Sequence, residues 1–321
     1  MPSEQYRCLI VTGPTATGKT RLAVALARRF NGEIVSADSR QVFRGMDIGT
    51  GKDVTEYTTG GPPVPCHLLD VADPNEEFHL FAYLQLAREA MSGIASRTRL
   101  PILCGGTPLY LKALLDGYDQ DGGAPSPDLR TQLEGRTLAE LVDILRHEAP
   151  PELFARTDLT QARRVIRGIE LSRGAKVING EPLLRDPLIL APWYDRQTVR
   201  TRIEERLDAR LKEGLLDEVR RLHDQGVSWE RMEWLGLEYR FAARHLTGTL
   251  TYQEMRNTLL AHIRQFCKRQ DGWFRKLERD GHAIHWLPNG DLDKAIALVS
   301  LWLDHQTLPP PELRMDEIRY G

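Results

Sequence analysis

The chain has 321 residues, of which 41% are hydrophobic and 27% are charged, and its formal net charge is −2 at pH 7. This composition is typical of a soluble globular protein and argues against a disordered or membrane protein. The near-neutral charge gives no overall attraction for nucleic acid, although a local basic surface would supply one. No run of about 18 apolar residues occurs, and the four cysteines form no C-x-x-C pair. We expect a cytoplasmic protein without a membrane span.

Short apolar runs bounded by turn residues predict six strands. They cover residues 8–12, 33–37, 68–71, 102–104, 188–191 and 284–287. The first four runs alternate with amphipathic helical patterns. This rhythm predicts a parallel sheet with helices on both faces, so the predicted fold class is α/β.

The alternation stops after the fourth strand. Residues 117–185 begin with a Gly/Pro-rich stretch and then carry helical patterns without a strong strand, which is typical of an insertion into a sheet domain. Beyond this segment we predict long helices at 196–225 and 252–279. The predicted organisation is a first part of the core at 1–116, a small, mostly helical insertion domain at 117–185, and a second part of the core at 186–321.

The segment at residues 13–20 fits the phosphate-binding pattern G-x-x-x-x-G-K-[ST], and we call it the phosphate loop. It stands between a predicted strand and a predicted helix, where backbone N–H groups and the helix dipole attract a phosphate. Lys19 would reach terminal phosphate oxygens, and the Thr20 hydroxyl would ligate Mg²⁺. The predicted phosphate-binding residues are Gly13, Thr15, Ala16, Thr17, Gly18, Lys19 and Thr20. Taken alone, this P-loop pattern favours ATP or GTP as the ligand.

Asp38 directly follows the second predicted strand. Ligands of open α/β sheets bind outside the carboxyl ends of the strands, so we expect this carboxylate to face the same crevice as the phosphate loop. It could hold Mg²⁺ through water, accept a proton from an acceptor substrate, or cap a helix. Its position favours one of the two functional roles.

The run that follows Asp38 resembles the signature of tRNA dimethylallyltransferases. It contains Asp38-Ser39, then Phe43, then Gly45-Met46-Asp47-Ile48-Gly49-Thr50. Further motifs match that family in order and spacing. They are Gly105-Gly106-Thr107 with Leu109-Tyr110, Arg163 to Glu170, Arg202 to Leu207, and Arg264 to Gln270 with Trp273-Phe274-Arg275. The resemblance covers residues 9–287, and five ordered motifs are far more specific than a phosphate loop alone.

This resemblance implies transfer of a dimethylallyl group from dimethylallyl diphosphate to N6 of the adenosine just 3′ of a tRNA anticodon. The catalytic residues that it implies are Asp38, Arg206 and Thr107. Asp38 is the general base for N6, Arg206 contacts the diphosphate from the far side, and Thr107 touches the target adenosine. The phosphate loop then holds the leaving diphosphate, with Mg²⁺ as the cofactor. Without the resemblance, Arg206 reads as a solvated helix arginine.

The resemblance also implies that tRNA, through its anticodon stem-loop, is the macromolecular partner. The expected contact residues are Asp38, Ser39, Arg40, Gln41, Thr107, Gln161, Arg163, Arg164 and Arg167. The target base must leave its stack to reach the crevice. Arginines of the insertion would meet loop phosphates or splayed bases, although such a charged run, taken alone, is more often a solvated helix face.

The chain departs from the common pattern of the family at several positions. They are Gly51, Asp53, Pro108, Leu237 and Ile263. These departures and a short insertion resemble a bacterial sub-branch and leave the finer tRNA preference open. Three alternatives are an adenylate isopentenyltransferase acting on a free nucleotide, a P-loop nucleotide kinase and a non-catalytic RNA-binding protein. The arginine-bearing insertion argues against the first, and the signature run after Asp38 argues against the second. We expect a monomer.

Overall fold

The computed structural model describes residues 5–117, 126–173 and 181–317. Its strands are β1 Leu9–Val11, β2 Gly32–Ser36, β3 Cys66–His67, β4 Leu100–Cys104, β5 Leu188–Trp193 and β6 Ile284–Pro288. They form one sheet in the order β3-β2-β4-β1-β5-β6, and every neighbouring pair is parallel. The predicted parallel α/β sheet is confirmed.

Helices cover both faces of this sheet, and further helices lie outside it. They are α1 Lys19–Arg29, α2 Val54–Thr58, α3 Leu80–Ser96, α4 Pro108–Asp116, α5 Pro127–Leu133, α6 Leu138–Glu148, α7 Pro151–Arg156, α8 Ala162–Arg173, α9 Arg196–Glu213, α10 Leu215–Asp224, α11 Trp229–Leu235, α12 Leu237–Leu246, α13 Tyr252–Arg279 and α14 Leu292–Leu303. The helix predicted at 252–279 is confirmed as α13. Within the described ranges, no helix has both the length and the apolar content needed to cross a membrane.

The strand predicted at 68–71 is wrong in position. The third strand is β3, and the chain turns immediately after it. Leu68 and Asp70 adopt φ angles of 65° and 56°, in the left-handed region, so the extended backbone ends there. The apolar character of Leu68 comes from packing in the core beneath the sheet and not from strand pairing.

The single helix predicted at 196–225 is also wrong, because α9 and α10 are separate. Gly214 adopts a φ of 107° between them, a conformation that ends a helix and that glycine accepts without steric cost. The apolar stripe nevertheless continues across the break, since Leu207 and Leu215 are both buried. Periodicity alone therefore did not reveal the boundary.

Apolar side chains enclose the sheet from both sides. On one face, α3, α4 and α13 contribute Tyr83, Leu111 and Phe274 to a large buried cluster. On the other face, α1 and α14 contribute Leu26 and Val299. Burial on both faces explains why the strands read as continuous apolar runs and not as alternating ones.

The described part of the predicted insertion domain is helical. Its helices α5 to α8 pack around their own buried cluster of Leu133, Leu141, Leu145, Val165 and Ile169. Residues 118–125 and 174–180, where the insertion would join the core, lie outside the described residues. Leu183 and Leu184 pack in the core beneath the sheet, and the Leu183 N–H donates to the carbonyl of Leu114 at 3.1 Å. The predicted boundaries at 117 and 185 stay predictions.

Gly105, directly after β4, has no room for a side chain, because a methyl group there would overlap the backbone carbonyl of Ala37. We expect Gly105→Ala to lower the free energy of unfolding by about 1–3 kcal/mol, the usual cost of forcing volume into a packed site. The matched control is Gly272→Ala in α13, where a methyl group meets no atom within 4 Å. This control should raise the free energy of unfolding by about 0.5–1 kcal/mol. Urea denaturation measures both, and effects of the same sign would contradict the packing argument.

Candidate active site

Three neighbouring strands end at one edge of the sheet and determine the candidate site. The hydrogen-bonded register continues beyond the strand ends, because Ala37 N–H donates to the Cys104 carbonyl at 2.7 Å and Gly105 N–H donates to the Val11 carbonyl at 3.2 Å. Asp38 and the phosphate loop therefore follow strands that flank the same neighbour, β4. This edge is where ligands of open α/β sheets bind.

The phosphate loop is a closed turn between β1 and α1. Gly13 and Gly18 adopt φ angles of 139° and 78°, which permit the tight path of the backbone. The Thr17 hydroxyl and the Lys19 ammonium both donate to the Pro14 carbonyl, at 2.8 and 2.7 Å. The backbone thus curls around the lysine in the shape that the sequence pattern predicts for an anion site.

Lys19 is the cation inside this loop. Burial lowers the pKa of its ammonium from 10.5 to about 8, the charge of Arg206 acts in the same direction, and the Asp38 carboxylate opposes both. The charges of Lys19, Asp38 and Arg206 therefore act on one another within one site. A bound polyanion would stabilise the protonated amine and raise this pKa again.

Asp38 is partly buried and is held by the backbone around it. Its Oδ1 accepts a hydrogen bond from the Arg40 N–H at 2.9 Å. The Ser39 N–H donates to Thr107 Oγ1 at 2.9 Å, and the Thr107 N–H donates to the Ala37 carbonyl at 3.1 Å. These bonds join the turn after β2 to the start of α4. The structure thus brings Asp38 and Thr107, both predicted as catalytic, to one place.

Gln270 of α13 links the phosphate loop to the turn after β4. Its side-chain oxygen accepts the Thr15 N–H at 2.9 Å. Its amide nitrogen lies 3.4 Å from the position that a methyl group on Gly106 would occupy. The side chain is buried, with 6% of the residue exposed. Sequence reasoning included Gln270 in a helix motif but gave it no role in the site, because a glutamine in a basic helix carries no distinctive signal.

The signature run after Asp38 is anchored by the buried carboxylate of Glu218 on α10. This carboxylate accepts the backbone N–H groups of residues 47–49 at 2.7 to 3.0 Å. It also accepts the Tyr239 hydroxyl at 2.7 Å. Four hydrogen bonds to one carboxylate offset its removal from water. Sequence reasoning missed Glu218, because only the fold brings α10 beneath this loop.

Lys52 anchors the same run from its other end. Its fully buried ammonium donates to the Phe43 carbonyl at 2.7 Å and to the carboxylates of Asp47 and Asp70. Gln41 is also engaged within the protein, since its amide nitrogen donates to the Gly51 carbonyl at 2.9 Å. Much of the signature run therefore forms a rigid wall of the crevice.

Arg206 of α9 lines a small pocket together with Thr15 and Ala16 of the phosphate loop. Its guanidinium is 3.6 Å from the Asp53 carboxylate. Burial and the positive charge of Arg210, one helical turn later, lower the pKa of Arg206 to about 10. Its charge also acts on Lys19 in the phosphate loop. Arg206 therefore belongs to the electrostatics of the site and is not an ordinary solvated helix arginine.

The arginines predicted to bind tRNA lie on α8 of the insertion. Arg164 pairs with Asp158, and Arg167 pairs with Glu170 at 2.9 Å. Arg163 is exposed and forms no ion pair with any residue that the structure describes. Gln161 precedes the helix and is exposed. Within the described ranges, no hydrogen bond or ion pair joins this group to the residues around Asp38. Arg231 lies between them electrostatically, since its charge acts on Arg40 and the charge of Arg163 acts on Arg231.

A cavity of about 830 Å³ opens beside the phosphate loop. Its lining includes Pro14, Thr17, Arg196, Arg264, Lys268 and Asp271. Cations from α9 and α13 thus face the loop across the cavity. A cavity of this size and charge suits a small organic anion.

The metal-ligating side chains near the loop are too few to hold a metal ion by themselves. They suit a metal ion that arrives bound to a phosphate ligand. In the described part of the chain, no group of three or more His, Cys, Asp or Glu side chains could hold a metal ion. Thr20 begins α1 beside Lys19, so its hydroxyl is the protein oxygen that the phosphate-loop pattern assigns to such a metal. Mg²⁺ commonly binds one or two protein groups together with substrate phosphates and water.

Comparison with known proteins identifies the family. A family model described as IPP transferase matches residues 41–277, and a second model, described as isopentenyl transferase, matches residues 6–60. The first match alone covers more than half of the chain. The chain belongs to the IPP transferase family. The resemblance drawn from the sequence motifs is confirmed.

Curated relatives in this family align along nearly their whole length. The chain is 47% identical over 289 residues to tRNA dimethylallyltransferase 2 of Trichlorobacter lovleyi. This alignment covers 89% of this chain and 93% of the relative. It is 46% identical over 285 residues to tRNA dimethylallyltransferase 2 of Porphyromonas gingivalis, with 87% and 93% covered.

Solved structures of IPP transferases share the fold. The full-length tRNA isopentenylpyrophosphate transferase of Bacillus halodurans superposes with a TM-score of 0.67 at 32% identity, covering 93% of this chain and 96% of that one. A eukaryotic dimethylallyltransferase acting on tRNA superposes with a TM-score of 0.79 at 23% identity, covering 95% and 81%. The second likeness shows the fold alone.

Gln270→Leu tests whether Gln270 shapes the phosphate loop. The change leaves the Thr15 N–H without its acceptor, at a cost of about 1–3 kcal/mol for an unsatisfied buried donor. Because the loop also loses the bond that fixes its shape, we expect the affinity for inorganic diphosphate, measured by titration calorimetry, to fall about tenfold, which corresponds to about 1.4 kcal/mol. The control is Gln253→Leu, an exposed position on the same helix. Equal affinities for the two variants would show that Gln270 does not shape the anion site.

Proposed function

We propose that this IPP transferase moves a dimethylallyl group from dimethylallyl diphosphate to N6 of the adenosine 3′-adjacent to a tRNA anticodon, releasing diphosphate. The observation that supports this reaction best is the meeting of the phosphate loop, Asp38 and Thr107 at one edge of the sheet. At that edge the phosphate loop offers a site for the diphosphate, and Asp38 offers a carboxylate for the acceptor amine. The transfer requires both.

Asp38 would be the general base. N6 of adenine is a weak nucleophile, because its lone pair is delocalised into the ring. A carboxylate that accepts a hydrogen bond from N6–H polarises the amine and takes its proton as the N6–carbon bond forms and the carbon–oxygen bond to diphosphate breaks. The bonds among Asp38, Arg40, Ser39 and Thr107 hold this carboxylate in place before substrate binds.

The leaving diphosphate would be stabilised by the phosphate loop. Lys19 and the N–H groups of the loop surround the anion, and Arg206 approaches from α9. Negative charge develops on the leaving oxygen as the bond breaks, so donors already in place stabilise the transition state more than the ground state. Mg²⁺, held by Thr20 and the phosphate oxygens, would neutralise further charge.

The tRNA would contact the crevice and the insertion at once. Ser39, Arg40 and Thr107 surround the site that receives the extruded base, while Arg163 of α8 offers an exposed cation to the backbone of the anticodon stem-loop. Because all of these residues come from one chain, we propose a monomer as the active unit. Free cysteines at Cys8, Cys66, Cys104 and Cys267 agree with the cytoplasm as its compartment.

Asp38→Asn tests the reaction and the base together. We expect turnover to fall by about 10²–10⁴-fold, since the amide accepts no proton, while tRNA affinity changes little. Mass analysis of nucleosides measures turnover when tRNA is incubated with dimethylallyl diphosphate and Mg²⁺. The control is Asp224→Asn, an exposed carboxylate at the end of α10. Prenylation of free AMP in preference to tRNA, or ATP hydrolysis without prenyl transfer, would contradict the proposed reaction.

Arg163→Ala tests the insertion as a tRNA-binding surface. Loss of one phosphate contact should reduce the slope of log affinity against log salt by about 0.7–0.9. The measurement is tRNA binding across a series of salt concentrations. Arg146→Ala is the matched control, because Arg146 is an exposed arginine of the same insertion, paired with Asp143 at 2.5 Å. A slope that changes equally in both variants would argue against a specific contact at Arg163.

A further inference from the structure

Arg210 is a buried arginine with part of its guanidinium unused. It lies one turn after Arg206 on α9, and only 8% of the residue is exposed. Its Nη1 donates to the Gly49 carbonyl at 3.3 Å and lies 3.5 Å from the Glu238 carboxylate. Its buried Nη2 has no hydrogen-bond partner within the described ranges. A buried charged donor without a partner is costly, so its position calls for an explanation.

The guanidinium groups of Arg210 and Arg206 converge on one point. A methyl group built on Gly51 would overlap the Nη2 atoms of both arginines. Gly51, with a φ of 62°, therefore supplies the space in which the two like charges approach each other. The charge of Arg210 helps to lower the pKa of Arg206, after burial. The pair repels itself in the absence of an anion.

Among the residues that the structure describes, each arginine has a single carboxylate partner, and the contact is long. Asp53 lies 3.6 Å from Arg206, and its side chain is 47% exposed. Glu238 lies 3.5 Å from Arg210. Neither contact has the short, bidentate geometry of a strong arginine–carboxylate pair, so neither carboxylate fully neutralises its arginine.

The space in front of the pair adjoins the phosphate loop. A pocket of about 20 Å³ is lined by Thr15 and Ala16 of that loop together with Arg206, Arg210 and Glu238. Its size suits one water molecule and is too small for a diphosphate. Arg210 acts on the charge of Arg206, and Arg206 acts on Lys19 of the loop. Arg210 is therefore placed to act on an anion in the loop through its charge and through Arg206.

Positions where the sequence departs from the common family pattern meet at this pair. Gly51 provides its space, Asp53 is the partner of Arg206, and Ile263 lines the same pocket. Ile263 is far from Gly51 and Asp53 in the sequence, but the three positions lie close together in the fold. All three positions therefore lie beside the two arginines or their pocket.

We propose that Arg210 is a positioning residue of the diphosphate site. Its charge repels Arg206 when the site is empty, and a diphosphate in the phosphate loop relieves that repulsion, so anion binding draws Arg206 onto the leaving group. The inference rests on the proposed function, because it takes diphosphate as the anion. Removal of the Arg210 charge should therefore weaken anion binding without any direct contact being lost.

Binding of inorganic diphosphate to the full chain, followed by titration calorimetry, tests the proposal. Arg210→Met should weaken binding about tenfold, since it removes a charge from a low-dielectric site. Arg210→Lys keeps the charge but loses the fork that reaches Gly49 and Glu238, and it should bind within about threefold of wild type. The control for net charge is Lys212→Met on the same helix, an exposed position where no change is expected. A purely structural role predicts that the Lys variant fails as badly as the Met variant.

Glu238→Gln gives a test of opposite sign that does not depend on the folding of Arg210→Met. It removes the carboxylate that competes for Arg210, so diphosphate should bind about three- to tenfold more tightly. Unchanged or weaker binding in this variant would overturn the proposal, as would wild-type affinity in a folded Arg210→Met protein. The proposed function fails separately, if wild type binds no diphosphate or if Lys19→Met binds it equally well.

Discussion

The candidate site depends on the parallel register of β2, β4 and β1. The hydrogen bonds between these strands continue past the strand ends through Ala37 and Gly105. The segments that follow the three strands therefore leave the sheet at the same level. The general-base candidate, the turn that carries Thr107 and the phosphate loop thus meet without a long connection. Gly105 lies against the Ala37 carbonyl so closely that no side chain fits. Close backbone packing, and not a side-chain contact, therefore sets the distance between the turn after β2, which carries Asp38, and the turn after β4, which leads to Thr107.

Buried ions give the wall of the crevice its rigidity. Glu218 and Lys52 are nearly inaccessible to water, yet each is surrounded by polar partners from residues 43–49 or by opposite charge. Burying such groups costs free energy unless every hydrogen bond is made, and removal of one partner is then strongly destabilising. These bonds consequently attach the loop after Asp38 to α10 and to its own buried lysine. This attachment explains why so much of the signature run faces inward, although the family resemblance first suggests substrate contacts for it.

The overall charge of −2 conceals a strongly uneven distribution. Lys19, Arg206 and Arg210 gather around the phosphate loop, while Arg163 and its neighbours occupy a separate helix of the insertion. Acidic side chains elsewhere balance the total. A small anion and a nucleic acid can thus be attracted to different places on one chain, because attraction depends on the local field and not on net charge. The pKa values of Lys19 and Arg206 are lowered because both cations are buried and lie close to other positive charges.

The sequence by itself determined the family, the α/β sheet, the phosphate loop and the place of Asp38. Apolar runs, glycine spacing and strand–loop–helix order are local properties, which a linear pattern records. It did not determine the end of β3 or the break at Gly214, because the apolar pattern continues through both. Only the tertiary structure revealed the contacts of Gln270, Glu218 and Arg210. Their partners lie far away in the sequence, and no spacing rule connects them.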